Sequence, residues 1–261
     1  MSQKLRDRID SYKEASDHKI LNRLPLIICV NGRAFSKLTS LINKPYCTKF
    51  AEGMLSATLK LCMEVEGSLF GYQHNDEILI VARNDQSLET EPWYDNKVQK
   101  ICSITSSIAT THFQKYINST DLSLMGDPLF TSQVFAVPTI GEAINTLVYK
   151  QQQNFHNSIQ FACFYELLKK HDRNTIKEML SGLTVDEKID LLHQECNIDF
   201  NEYPHSFRRG AACYKVPKII ADGVMKTKWT INAEPPIFTK DQSFLSNIFK
   251  NGADIFREAS L

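Results

Sequence analysis

The sequence predicts an α+β fold whose first half is a split β-α-β-β-α-β unit and whose second half is mainly helical. Three observations predict it. Short β-rich apolar runs stand at residues 26–30, 68–72, 78–81 and 131–137. Two long stretches with apolar residues three and four apart separate the first run from the second and the third from the fourth. From residue 140 onward the helical period takes over.

Taken in order, Ile9 and Tyr12 among polar neighbours suit a short exposed helix. After Pro25 the run 26–30 is continuous and β-rich, as in a buried strand, and Asn31-Gly32 is expected to break it. From Lys49, the positions Phe50, Met54, Leu55, Thr58, Leu61, Cys62 and Val65 recur at three- and four-residue spacing and describe an amphipathic helix that ends before Gly67. Runs 68–72 and 78–81 flank His74, Asn75, Asp76 and Glu77, which reads as a hairpin with acids at its tip. Residues 93–116 read as the second long helix, and 131–137 as a strand closed by Pro138. The predicted division is therefore a domain over 1–138 and a mainly helical region over 139–261 packed on it. Within the latter, Asn157, Asp172 and Gly182 punctuate the helices, and Thr184 with Glu187 forms a capping-box pattern. Residues 211–217 and 227–231 can add short strands, and Pro235-Pro236 marks an extended tail.

Composition bounds the function. With 261 residues, 43% of them hydrophobic and 23% charged, the chain has a globular composition that excludes a fibre or a disordered tail. Lys plus Arg and Asp plus Glu are 30 each, so an anionic partner must meet a local patch. Seven scattered cysteines with no Cys-x-x-Cys pair are expected to be free thiols, and the charged N-terminus and the lack of a long apolar run predict a cytoplasmic protein without a membrane span.

Two places carry chemistry. At the hairpin tip, Asp76 and Glu77 are adjacent, so one acid can face a cleft while the other braces it; a carboxylate there suits a hard cation shared with substrate phosphates. At the other strand end, Asn31-Gly32-Arg33-Ala34-Phe35-Ser36 is a glycine turn followed by a cation, able to cradle phosphates with backbone N–H groups. His74 and His156 lie near this site in the sequence pattern and read as hydrogen-bonded or solvated histidines. Phe155, Phe161, Phe164 and Tyr165 read as helix-packing aromatics, and the pairs Lys169-Lys170 and Arg208-Arg209 as basic surface.

The combination is more specific than its parts. Residues 30–39, Lys44-Pro45, 72–78, 98–104, 128–135, Gln151-Gln152, Asn157-Ser158-Ile159 and 207–210 together resemble the tRNA-His guanylyltransferase family, in its bacterial and phage-type branch, with order and spacing kept from about residue 6 to Phe249. The resemblance implies a ferredoxin-like polymerase palm with two metal ions, run in the 3′-to-5′ sense to add nucleotides to tRNA or tRNA-like 5′ ends. It implies Mg²⁺ and ATP or GTP as cofactors, tRNA as partner and a homo-tetramer. Asp76, the Gly32 carbonyl and Asn31 fall on its metal positions, with Glu77 beside them. Gly32, Arg33, Ala34, Phe35, Ser36, Lys44, Asn75 and Lys100 fall on nucleotide-binding positions, and Lys150, His156, Asn157, Arg208 and Arg209 are assigned to RNA.

The departures concern charge. The family's first metal-binding aspartate is Asn31 here, and Thr131, Gln133, Gln153 and His156 stand where it has charged residues. An amide offers an oxygen to a cation but cannot bridge two as a carboxylate does. The alternative to an active nucleotidyltransferase is accordingly a catalytically impaired member that binds or sequesters nucleotide or RNA.

Overall fold

The computed structural model describes residues 3–86, 89–219 and 225–254. Along the chain come α1 (Gln3–Glu14), β1 (Leu26–Gly32), α2 (Phe35–Leu38), α3 (Thr48–Glu64), β2 (Ser68–His74), β3 (Glu77–Ala82), α4 (Val98–Asn118) and β4 (Phe130–Ala136). The second half adds α5 (Ile140–Leu167), α6 (Arg173–Leu180), α7 (Val185–Cys196), α8 (His205–Arg209), β5 (Ala211–Ile219), β6 (Met225–Asn232) and α9 (Gln242–Asp254). The strands form one antiparallel sheet in the order β4-β1-β3-β2-β5-β6. Its first four strands with α3 and α4 are the predicted β-α-β-β-α-β unit. The later half extends the same sheet with β5 and β6.

The sheet is covered on both faces, which is why β1 and β3 read as unbroken apolar runs. Ile28, Val30, Ile78 and Ile80 pack with Met54, Leu61, Ile101 and Phe113 of α3 and α4. Ile27, Cys29, Leu79 and Val81 pack with Ala143 and Leu147 of α5 and Leu245 and Phe249 of α9. The C-terminal part of α5 leaves the sheet and joins a third cluster, where Ile159, Cys163 and Leu167 meet Ile176, Leu192, Phe200 and Phe207. One 28-residue helix thus ties the sheet to the helical bundle.

Three local expectations are corrected. Asn31 and Gly32 do not break β1; they pair with Glu77 of β3 and with Thr131 and Phe130 of β4. Residues 93–116 are not one helix. Residues 93–96 form a 3₁₀ turn with Tyr94, Asp95 and Asn96 at φ 50, 54 and 53°, because the Asn96 amide is drawn away to the Leu21 carbonyl and the Asn22 side chain, and α4 starts only at Val98. Asn157 does not punctuate α5, since its side chain is exposed and the helix runs through it. Asp172 does cap α6, and the Thr184–Glu187 capping box is formed.

His74 has a structural role. It is fully buried, its Nε2–H donates to the Phe207 carbonyl at 2.7 Å, and burial pulls its pKa from 6.5 to about 4. The folded protein therefore keeps it neutral while the unfolded chain takes up a proton below about pH 6.5. The stability it contributes is complete above that pH and is lost as pH falls toward about 4, by about 3 kcal/mol in total. Thermal denaturation at pH 7 and pH 5 should show a drop in Tm that is clearly smaller in His74→Gln; an equal drop in both proteins would contradict this assignment.

Candidate active site

The site grows from the two ends of a pair of strands. The β2–β3 connection is only Asn75-Asp76, with Asn75 in the left-handed region at φ 49°, and the Gln73 side-chain amide donates to the Asn75 carbonyl at 2.8 Å. The Asp76 carbonyl accepts from the Gly32 N–H at 2.9 Å, so the hairpin tip and the end of β1 are tied together. Gly32 cannot be another residue without rearrangement, because a Cβ there would lie 2.4 Å from the Phe35 ring. That ring is buried against Phe50, Phe113 and Phe130. Next, Ala34 adopts φ 56°, ψ 32° and turns the chain into α2. The N–H groups of Ala34, Phe35 and Ser36 donate to no carbonyl among the described residues, which makes the turn a concave cluster of free donors beside exposed Arg33.

Beside this turn opens a cavity lined by Gln73, Asn75 and Asp76 of the hairpin, Phe35, Ser36 and Thr39, Asn43 to Cys47 of the following loop, Phe161 and Tyr165 of α5, and Ser206 and Phe207 of α8. Lys44 is half-buried in it, donates to Thr39 Oγ1 at 2.9 Å, and sits 5.6 Å and 5.8 Å from the ring centres of Phe161 and Tyr165. Burial holds the Lys44 ammonium below its usual range while Asp76 pulls it up. The converse holds for Asp76: burial raises its carboxyl, and neighbouring Glu77 adds to this, with Lys44 opposing. The cavity therefore holds an acid whose charge is incompletely compensated.

The adjacent acid goes elsewhere. Glu77 accepts from Lys150 of α5 at 2.6 Å, with the two side chains 23% and 22% exposed. Cys29, on the same face of β1, is pushed up to about 11 by burial and then by the Glu77 charge. Asn31 is the direct cross-strand neighbour of Glu77 and, two residues from Cys29, shares that face. So Asp76 faces the cavity and Glu77 is braced by a cation.

Not every predicted residue is brought here. Lys100 stands in the first turn of α4, its ammonium 5.0 Å from the Tyr94 ring centre, near the Leu26–Ala82 end of the sheet and thus opposite the hairpin tip. Lys150 is engaged by Glu77, and Arg208 donates through Nε to the Tyr203 carbonyl at 2.8 Å. Arg209 lies 3.8 Å from the Phe155 ring centre. These cations are tied into the fold, which revises the reading of 208–209 as simple basic surface. His156 and Asn157 are exposed on α5. Conversely, Phe161 and Tyr165, read from sequence as packing residues, line the cavity with Tyr46 and Cys47. Their four-residue spacing on one helix face was the available signal.

The donor set suits a single divalent cation. Among the described residues no group of three or more His, Cys, Asp or Glu side chains is placed to hold one. A single carboxylate in a cleft, with destabilised charge and its backbone tied to the Gly32 N–H, nevertheless fits Mg²⁺, which binds through one or two carboxylates and takes its other ligands from phosphates and water. The residues fit one such ion; Asn31, across the strand from Glu77, brings no second carboxylate to the strand end.

Free backbone donors next to a half-buried acid, carried on a split β-α-β-β-α-β sheet of palm type, suit the positioning that phosphoryl transfer requires. The family profile described as tRNAHis guanylyltransferase matches residues 6–138, and that described as Thg1 C terminal domain matches 145–257. The chain belongs to the tRNAHis guanylyltransferase family of 3′-to-5′ nucleotidyltransferases. It is 24% identical over 206 residues to a probable tRNA(His) guanylyltransferase of Dictyostelium discoideum, covering 76% of this chain and 78% of that one. Among solved structures it resembles a bacterial tRNA(His) guanylyltransferase (Thg1)-like protein in complex with ATP, at TM-score 0.80 and 25% identity over 94% of this chain and 98% of the other. The tRNA(His) guanylyltransferase of Saccharomyces cerevisiae shares the fold at TM-score 0.68 and 17% identity, over 86% of this chain and 95% of that one.

Proposed function

We propose that this chain is a working 3′-to-5′ nucleotidyltransferase that takes ATP or GTP into the cavity beside Asp76 and joins a nucleotide to the 5′ end of a tRNA or tRNA-like RNA. The observation that carries this reading is that Asp76, Lys44, Phe35 and Ser36 line one cavity, next to the turn at residues 34–36 with its free N–H groups. The ATP and GTP complexes of the bacterial Thg1-like proteins support it. In this reading the N–H groups of Ala34, Phe35 and Ser36 and the Lys44 ammonium hold the triphosphate. Asp76 and the Gly32 carbonyl would hold Mg²⁺, which when bound neutralises phosphate charge and orients the reacting oxygens. Glu77, fixed by Lys150, keeps negative potential at the strand end without entering the cavity. Calorimetry with ATP and with GTP, each with and without Mg²⁺, tests the reading: binding should be measurable with Mg²⁺ and weaker by about tenfold or more without it. Failure of both nucleotides to bind would remove it.

A further inference from the structure

Lys44 is an unusual feature of the cavity: an ammonium half-buried on a loop, with one side-chain hydrogen bond among the described residues, to Thr39 Oγ1, and two aromatic rings beside it. Both rings come from α5, in the other half of the chain. Phe161 and Tyr165 stand edge to face with centroids 4.6 Å apart, which fixes each ring against the other. Phe161 packs on the helical cluster, and Tyr165 stands edge to face on Phe164 of that cluster as well, centroids 5.3 Å apart, so the pair of rings is anchored in the helical half while it lines the cavity.

We propose that Phe161 and Tyr165 are positioning residues that hold the Lys44 ammonium toward the triphosphate, making nucleotide binding by the sheet depend on the helical half of the chain. This rests on the cavity being the nucleotide site. A cation drawn partly out of water gains from the negative faces of aromatic rings, and the gain grows with desolvation. The other groups acting on the Lys44 charge are Asp76 from the hairpin and the Cys47 thiol, and the same cavity is lined by Phe207 of α8 and by Tyr46 and Ser206, whose hydroxyls are hydrogen-bonded to each other at 3.2 Å. Burial lowers the Lys44 pKa, with Asp76 and Cys47 opposing, so the rings support a charge that the site otherwise disfavours.

The test is a double-mutant cycle read by calorimetry with three probes, ATP, adenosine and inorganic tripolyphosphate, in the full chain with Mg²⁺. The double variant Phe161→Leu with Tyr165→Leu should weaken ATP and tripolyphosphate about tenfold and adenosine less than about twofold. In a Lys44→Met background the same ring changes should alter ATP affinity less than about twofold. Tyr165→Phe, which keeps the ring face, should retain the wild-type preference for ATP over adenosine. The pH at which ATP affinity falls on the alkaline side should move down in the leucine variant, and that shift should be absent without Lys44. Equal loss for ATP and adenosine, or a loss in the Lys44→Met background as large as in the parent, would overturn the proposal, since the rings would then be stacking on the base or only packing. Absence of ATP binding by the unaltered chain would instead overturn the nucleotide-site reading. Far-ultraviolet circular dichroism on each variant, together with the milder Tyr165→Leu single change, separates loss of folding from loss of coupling.

Discussion

Asp76→Asn is expected to lower nucleotidyl transfer at least about 100-fold, corresponding to about 2.7 kcal/mol of barrier, without weakening the fold. The side chains match in size and the backbone contact to Gly32 is untouched, because it runs through the Asp76 carbonyl. What is lost is the one carboxylate that lines the cavity among the described residues, and with it the charge that would hold a hard cation against the phosphates. The stability effect should have the opposite sign to the activity effect. Burial and the Glu77 charge raise the Asp76 carboxyl, so its ionised form is disfavoured in the folded state, and near neutral pH a neutral amide should melt at the same temperature or higher. Single-turnover transfer and thermal denaturation on the same preparation check both; a variant that is inactive because it is unfolded would contradict this assignment of Asp76.

Asn31→Asp should act the other way, raising transfer about tenfold or more, or about 1.4 kcal/mol off the barrier. The new carboxylate would stand directly across the strand from Glu77, near buried Cys29, with Lys150 as the only cation bound there among the described residues. Like charges on facing strand positions destabilise. Without Mg²⁺ the variant should therefore melt below the parent, and saturating Mg²⁺ should recover more Tm in the variant than in the parent. If Asn31→Asp binds nucleotide yet transfers no faster than the parent, then Thr131, Gln133, Gln153 and His156 carry the deficit, and the binding-protein alternative is favoured.

Much of the palm was legible because its strands bury both faces and its helices keep a strict apolar period: residues 26–30 and 78–81 have no polar break, and α3 places Met54, Leu61 and Cys62 on one face. The strand-like runs at 211–217 and 227–231 were visible too, although nothing local announces that they pair with β2 and extend the same sheet. The limits of reading were set by tertiary partners. Asn31-Gly32 looks like a turn, but strands on both sides supply its ladder hydrogen bonds, and Asn96 leaves the helical pattern because the loop at 21–22 captures its side chain. In the site, the opposite aims of Asp76 and Glu77 follow from strand alternation. The pairing of Glu77 with Lys150, 73 positions away, does not, and neither does the use of Phe161 and Tyr165 against Lys44.

Whether the cavity at Asp76 transfers nucleotides to RNA 5′ ends is read most directly by single-turnover transfer. The unaltered chain is given 5′-monophosphorylated and 5′-triphosphorylated tRNA, with Mg²⁺ and each nucleoside triphosphate in turn. The expected product is RNA extended at its 5′ end, abolished by Asp76→Asn and increased by Asn31→Asp. Tight Mg²⁺-dependent nucleotide binding with no extended RNA from either the parent or Asn31→Asp would contradict the proposed transfer.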